Sequence, residues 1–188
     1  MVTRLKNTDY RSREYLTHDE VKELIATAEI RGRYGLRDKA LLLLMFRHGL
    51  RVGEACLLRW DAIDLKAGTI FVTRLKRGNS GNHFLQSDEV ELLAELKGDR
   101  QSGHVFIGER GNPLTTMAIG KIVDRTGNFA EFPFRVHPHM LRHGCGYWLA
   151  NQGYDTRLIQ EWMGHRNIVH TARYTAISPA RFKCFKWG

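Results

Sequence analysis

In the stretch HPHMLRHGCG, His137, His139, Arg142 and His143 stand within seven residues, after a proline-containing loop and ahead of an apolar run. Such a set serves three chemistries: a metal site, a cluster of buried histidines, or a cradle for a phosphate. On a helix that starts near Pro138, His139 and Arg142 are three apart and share a face, and His143 follows His139 by four. The two histidines have zinc-ligand spacing, but the HExxH glutamate is missing between them and no obvious third ligand follows. Histidines at helical spacing are mostly structural. The phosphate reading gains from residues elsewhere. Arg51 lies just past Gly49, beside the apolar run ALLLLMF, where a cap or an apolar residue is the ordinary occupant. A guanidinium anchored there presents paired donors that match phosphate oxygens, and Arg142 offers a second clamp. Downstream, LIQEWMGHRN sets His165 after a glycine at a helix end, and HTARYTAIS sets Tyr174 nine residues later.

The elements that must carry these residues can be drawn from caps and periodicity. Thr17 and Glu20 have capping-box spacing and Leu16 with Val21 can form a hydrophobic staple, so a helix starts there and buries Val21, Leu24, Ile25 and Ala28. LRDKALLLLMFRH is apolar almost all round and predicts a central core helix that stops at Gly49. RVGEACLLRW predicts a short helical segment. TIFVT, a Gly/Asn/Ser turn and a return strand around His83 to Leu85 predict an antiparallel hairpin with Lys76 near its tip. Ser87 is the expected N-cap of a helix that stops at Gly98, and Thr115 opens another to about Gly127. The last third is helical: Pro138 suits N1 of a helix that runs to Gly153, Asp155 caps the next, and one more follows Asn167. The fold class is α+β, mainly α-helical, a single domain with one small antiparallel β-sheet.

The chain has 188 residues and a formal net charge of +9, with a sequence pI near 9.7. That balance favours a polyanionic partner, nucleic acid first. It supplies affinity and no chemistry. Cys56, Cys145 and Cys184 are far apart and form no C-x-x-C pair, so neither a disulfide framework nor a zinc knuckle is indicated. No apolar run approaches a membrane span and the N-terminus carries no apolar signal region, which predicts a cytoplasmic protein.

Arg51 in GLRVGEACLLRWDAIDL, Lys76 in TRLKRGN, His139 and Arg142 in HPHMLRH, His165 in MGHRN and Tyr174 in TARYT together resemble, in order and spacing, the tyrosine recombinase (phage integrase) family. The likeness covers about residues 16–178. It extends to the short fimbrial phase-switch DNA invertases in YLTHDEV, RHGLRVGEACLLRWDAIDL, TRLKRG and RLIQEWMGHRNIVHTARYTA. Singly, each residue has a structural alternative: a carbonyl-binding arginine, a charged turn, a helix-end histidine, a core aromatic.

The resemblance implies a tyrosine-recombinase catalytic domain over residues 16–178. A mobile basic arm (1–15) precedes it, and a tail (179–188) with Phe182, Phe185 and Trp187 docks on its own domain or is exchanged between protomers. It implies that Tyr174 attacks a DNA phosphate while Arg51, Arg142 and His165 stabilise the charge that develops. His139 would be the base-like partner of the phenol, and Lys76 the acid for the leaving 5′ oxygen. Glu54, one turn past Arg51, either orients that arginine or is a glutamate favoured by the helix dipole. Arg74, Arg77, Arg166 and Arg173 are the expected DNA contacts, and His137 and His143 are read as mainly structural. A phosphotyrosyl link retains the bond energy, so no ATP, metal or other cofactor is implied, and no P-loop is present. The implied partners are double-stranded DNA with inverted-repeat sites, three further copies of the chain in a homo-tetramer, and accessory DNA-bending proteins at the bacterial nucleoid. The implied outcome is inversion of a promoter-bearing segment for fimbrial phase variation. A type IB topoisomerase, a non-cutting DNA-binding regulator and a histidine-dependent metallohydrolase are the alternatives.

Overall fold

The computed structural model describes residues 14–75 and 78–176. Most of the basic arm, Lys76, Arg77 and the tail from residue 177 lie outside the described residues. Helix α1 (His18–Arg31) begins as its caps require, the Glu20 amide donating to Thr17 Oγ1 and the Thr17 amide to Glu20 Oε2. It buries Val21, Leu24 and Ala28, with Ile25 partly covered. Helix α2 (Gly35–Arg47) is the centre of the molecule: every residue from Ala40 to Phe46 is buried, with α1, α4 and α6 packed around it.

The chain leaves α2 through Gly49, whose φ of +56° favours glycine and whose Cβ, were there one, would lie 2.7 Å from Met163 Sδ. Short α3 (Val52–Leu57) follows, then a 3-10 turn (Trp60–Ala62) and a sheet of β1 (Ile63–Asp64), β2 (Thr69–Val72) and β3 (Gly81–Phe84). The sheet is antiparallel throughout in the order β1-β2-β3, pairing Ile63 with Ile70, and Ile70 with His83. Helix α4 (Ser87–Lys97) starts one residue differently from expectation. Gln86 is its N-cap, because the Gln86 amide donates to Glu89 Oε2 at 2.9 Å, and Ser87 is the first helical residue.

Helix α5 (Thr116–Phe129) is capped by Thr115 and continues past Gly127. That glycine is not a stop but a close approach, since a Cβ there would come within 2.5 Å of Val136 Cγ2. Helix α6 (Pro138–Asn151) has its proline at the start, α7 (Thr156–Met163) is capped by Asp155, and α8 (Val169–Ala176) ends the described chain. No helix among the described residues is long and apolar enough to cross a membrane.

One buried polar chain ties the sheet to three helices. His83 on β3 lies face to face with Trp162 of α7 at 3.8 Å and meets His48 Nδ1 at 3.1 Å, and His48 Nε2 meets Glu89 of α4 at 3.1 Å. Burial, with His48 and Arg74 nearby, pushes the His83 pKa down to about 3. The unfolded chain titrates its histidines near 6.5, so below that pH it takes up a proton that native His83 refuses, and stability falls as pH drops from about 6.5 toward 3. For one such histidine the loss between pH 7 and pH 5 is roughly 2 kcal/mol. His83→Asn should therefore show a shallower decline in melting temperature over that range. An unchanged slope would mean that His83 already accepts a proton in the native state.

Candidate active site: a cationic cavity between α6, α7 and α8

Three helix ends and one helix face converge. The turn after α2 delivers Arg51, α6 delivers His139, Arg142 and His143 from one face, the turn after α7 delivers His165, and α8 delivers Tyr174. All six line a cavity of about 580 Å³, with Glu14, His137, His170 and Arg173 completing the wall. Five of the six residues expected to be catalytic are thus brought to one place, and the sixth, Lys76, falls outside the described residues. Among the described residues, no group of three or more His, Cys, Asp or Glu is arranged to hold a metal ion.

The floor is built from guanidiniums and backbone carbonyls. Arg142, 3% exposed, donates through Nη1 to Gly49 O and through Nη2 to Met163 O at 2.8 Å. Burial, with Arg51 and Arg74 as neighbours, lowers its pKa to about 10, which still leaves it a cation at neutral pH. Glu54 is buried and takes four donors: the Arg51 amide (2.9 Å), Arg51 Nη1 (2.6 Å), Arg74 Nη1 (3.0 Å) and the Leu75 amide (3.1 Å). Burial alone would raise its pKa, but the bonds from Arg51 and Arg74 outweigh it, and Glu54 titrates below the usual carboxylate range. It both caps α3 and orients Arg51. Two guanidiniums, Arg51 and Arg74, share this one carboxylate while Arg142 donates to carbonyls, which leaves the cavity with a cationic excess suited to an anion.

Tyr174, His165 and His143 are held neutral. Burial, together with Arg142 and Arg51, lowers His165 to about 3, and its Nδ1 meets Thr171 Oγ1 at 2.9 Å. Burial, with His139 and Arg173 nearby, lowers His143 to about 4. Tyr174 is 1% exposed, and burial raises its phenol to about 12 against the opposing pull of Arg142 and Arg173. At neutral pH the cavity therefore holds a neutral phenol and two neutral imidazoles beside charged arginines. That is the state from which a phenol can pass its proton to an imidazole.

The side-chain placement differs from two expectations. His143, read as structural, has its Nδ1 3.0 Å from the Tyr174 hydroxyl, while His139, read as the partner of the phenol, meets the edge of the His143 ring with centroids 5.2 Å apart. The reason is helical: His143 lies one turn before Gly146, and the Tyr174 ring lies on that glycine, where a Cβ would be 2.5 Å from Cε2 and 2.7 Å from Cζ. Gly146 inside a helix is the sequence signal for this seat, since a helix interior favours alanine over glycine by about 1 kcal/mol unless something must come close.

The second difference is Arg74. Expected on the DNA side, it is 6% exposed and spends its donors on Glu54 and on the His48, Gly49 and Trp162 carbonyls. Arg166 is exposed, and Arg173 stands at the cavity wall, paired with Glu14 at 3.0 Å.

Residues 14–181 match the Phage integrase family model. The chain belongs to this family and is a tyrosine site-specific recombinase. It is 44% identical over 185 residues to the type 1 fimbriae regulatory protein FimB of Escherichia coli strain K12, covering 95% of this chain and 92% of FimB. It is also 44% identical to FimE of the same strain over 177 residues, covering 90% and 89% of the two chains. The crystal structure of XerA recombinase shares the fold with a TM-score of 0.76 at 28% identity, over 89% of this chain and 62% of XerA. The chain thus spans less than two thirds of that larger protein.

Gly146→Ala tests the seat of the tyrosine. The added methyl cannot coexist with the ring, so Tyr174 should leave its slot and its titration should fall from about 12 toward the ordinary value near 10. Spectrophotometric titration against a Tyr174→Phe background reads that phenol; an unmoved titration would show that the ring keeps its place.

Proposed function

We propose that this chain cleaves and rejoins duplex DNA at inverted repeats through a covalent link between Tyr174 and a 3′ phosphate, and so inverts the segment between them. The observation that carries the reading is the meeting of Arg51, Arg142, His165 and Tyr174 around one cationic cavity. In the first step the Tyr174 oxygen bonds to phosphorus, its proton passes to His143, and the bond to the 5′ oxygen breaks. By family resemblance Lys76 protonates that oxygen, which is otherwise a poor leaving group. His139, edge-on to the His143 ring, is the alternative acceptor that the family resemblance implies. Arg51 and Arg142 neutralise the charge on the nonbridging oxygens and His165 donates a further hydrogen bond. Attack by a 5′ hydroxyl on the phosphotyrosine reverses the step on a new partner strand, with no external energy source.

Similarity to FimB and FimE, named as regulators of type 1 fimbriae, supports inversion of a regulatory segment as the outcome. Solved relatives of the same fold include XerH bound to its difH substrate and a lambda integrase dimer bound to a core site. On this reading the chain works as a homo-tetramer on two sites, helped by accessory DNA-bending proteins at the nucleoid. The tail docks either in cis or in trans, and Arg77, Arg166, Arg173 and the arm contact phosphates.

A nicked duplex, selected from a randomised pool for covalent capture, tests the chemistry. Tyr174→Phe should abolish the adduct. His143→Ala should slow its formation by about 100-fold or more, and more than His139→Ala does. Duplex binding with no adduct from the native chain would support the non-cutting regulator instead. Relaxation of plasmids lacking the selected site would support the topoisomerase. Duplex affinity should fall linearly with salt on logarithmic axes, with a smaller slope once residues 1–15 are removed. An unchanged slope takes the arm out of the interface.

A further inference from the structure

The proposed chemistry does not use Arg74, yet this residue is among the most thoroughly bonded in the molecule. Its side chain is 1% exposed and reaches four acceptors: Glu54 Oε2 at 3.0 Å, Gly49 O at 3.1 Å, His48 O at 2.9 Å and Trp162 O at 2.5 Å. The three carbonyls belong to the C-terminal ends of two helices, α2 and α7. Such ends carry unpaired carbonyls and a partial negative charge, and unjoined they would repel each other. Arg74 bridges them. From one bridged end the chain runs directly to Arg51, and from the other directly to His165.

The contact with the second turn is close. Gly164 has a φ of +64°, and a Cβ on it would lie 2.7 Å from Arg74 Cγ and 2.8 Å from Nε, so the arginine lies flat across the turn that presents His165. The backbone around Arg74 is fixed as well, its amide donating to Ser80 Oγ at 2.9 Å and the Asn79 amide to Gly164 O at 3.3 Å. Glu54 completes the frame by holding Arg74 and Arg51 with its two oxygens.

We propose that Arg74 is a positioning residue: by clamping the carbonyl ends of α2 and α7 together, it sets the separation at which Arg51 and His165 grip a single phosphate. The inference rests on reading the cavity as the site of cleavage. Arg74 does not itself touch the phosphate. Its contribution is geometric, because four acceptors spread around a planar fork cannot be met by a single ammonium.

Substitution by lysine separates geometry from charge. Lysine still neutralises Glu54, so Arg74→Lys should melt nearer to the native protein than Arg74→Met. Nevertheless, single-turnover adduct formation on the captured nicked duplex should fall by about 100-fold, with duplex affinity changed by less than about threefold. In parallel, inorganic phosphate is titrated while the Arg51 Nε and His165 ring resonances are followed. In the native protein both should move along one isotherm; in Arg74→Lys that shared response should be lost. Native-like cleavage by Arg74→Lys, or cleavage that falls only with the folded fraction, overturns the proposal. So does a phosphate response in which the native Arg51 and His165 do not share an isotherm. If the native chain forms no adduct on DNA, the recombinase chemistry fails, and the phosphate titration still decides the role of Arg74.

Discussion

The structure depends on how two helix ends, both rich in unpaired carbonyls, are made to meet. Left alone, the C-termini of α2 and α7 would set partial negative charges side by side in a buried region. Arg142 and Arg74 resolve this by each taking a carbonyl from both ends and sharing Gly49 O between them. Burying two guanidiniums is costly unless their donors are satisfied, and here the donors and the orphaned carbonyls satisfy one another. Glu54 supplies a single balancing carboxylate. The result is a junction with a positive surplus, opening onto a cavity of about 580 Å³ that can admit a phosphodiester.

Burial and that surplus together set the protonation states around it. Desolvation first, and neighbouring cationic and imidazole groups second, keep His165 and His143 neutral well below neutral pH. Tyr174 feels opposed influences: burial disfavours the phenolate, and Arg142 and Arg173 favour it. Burial wins in this arrangement. An arriving phosphate would enter a site already ordered around its charge, and little reorganisation of the protein would be needed for charge stabilisation.

Much of this was legible in the chain. Side-chain caps at Thr17, Thr115 and Asp155 located helix starts because each accepts from amides within its own turn, and Pro138 located another because its ring suits the first helical position and brings no amide that needs a partner. The core helix was visible because ALLLLMF leaves no polar face to expose. The residues expected to be catalytic were legible as a set, through their types, order and spacing, and five of them do line one cavity. Where the reading slipped, the deciding partner was distant in sequence. Arg74 looked like one of several basic residues on a hairpin, and what buries it comes from residues 48, 49, 54 and 162. His143 looked like packing beside His139, and what singles it out is a phenol from α8 seated on Gly146.

The sequence by itself thus determined the helices, the hairpin and the charge, because each of those follows from neighbours within a few residues or from composition, and the resemblance to a family supplied the roster of reactive side chains. Only the tertiary structure decided which arginine faces the cavity and which serves the frame, and which histidine meets the tyrosine. Those assignments depend on the direction of side chains relative to helix ends brought together from opposite parts of the chain. Hydrogen-bond geometry that is sensitive to fractions of an ångström is fixed only when the helices have packed.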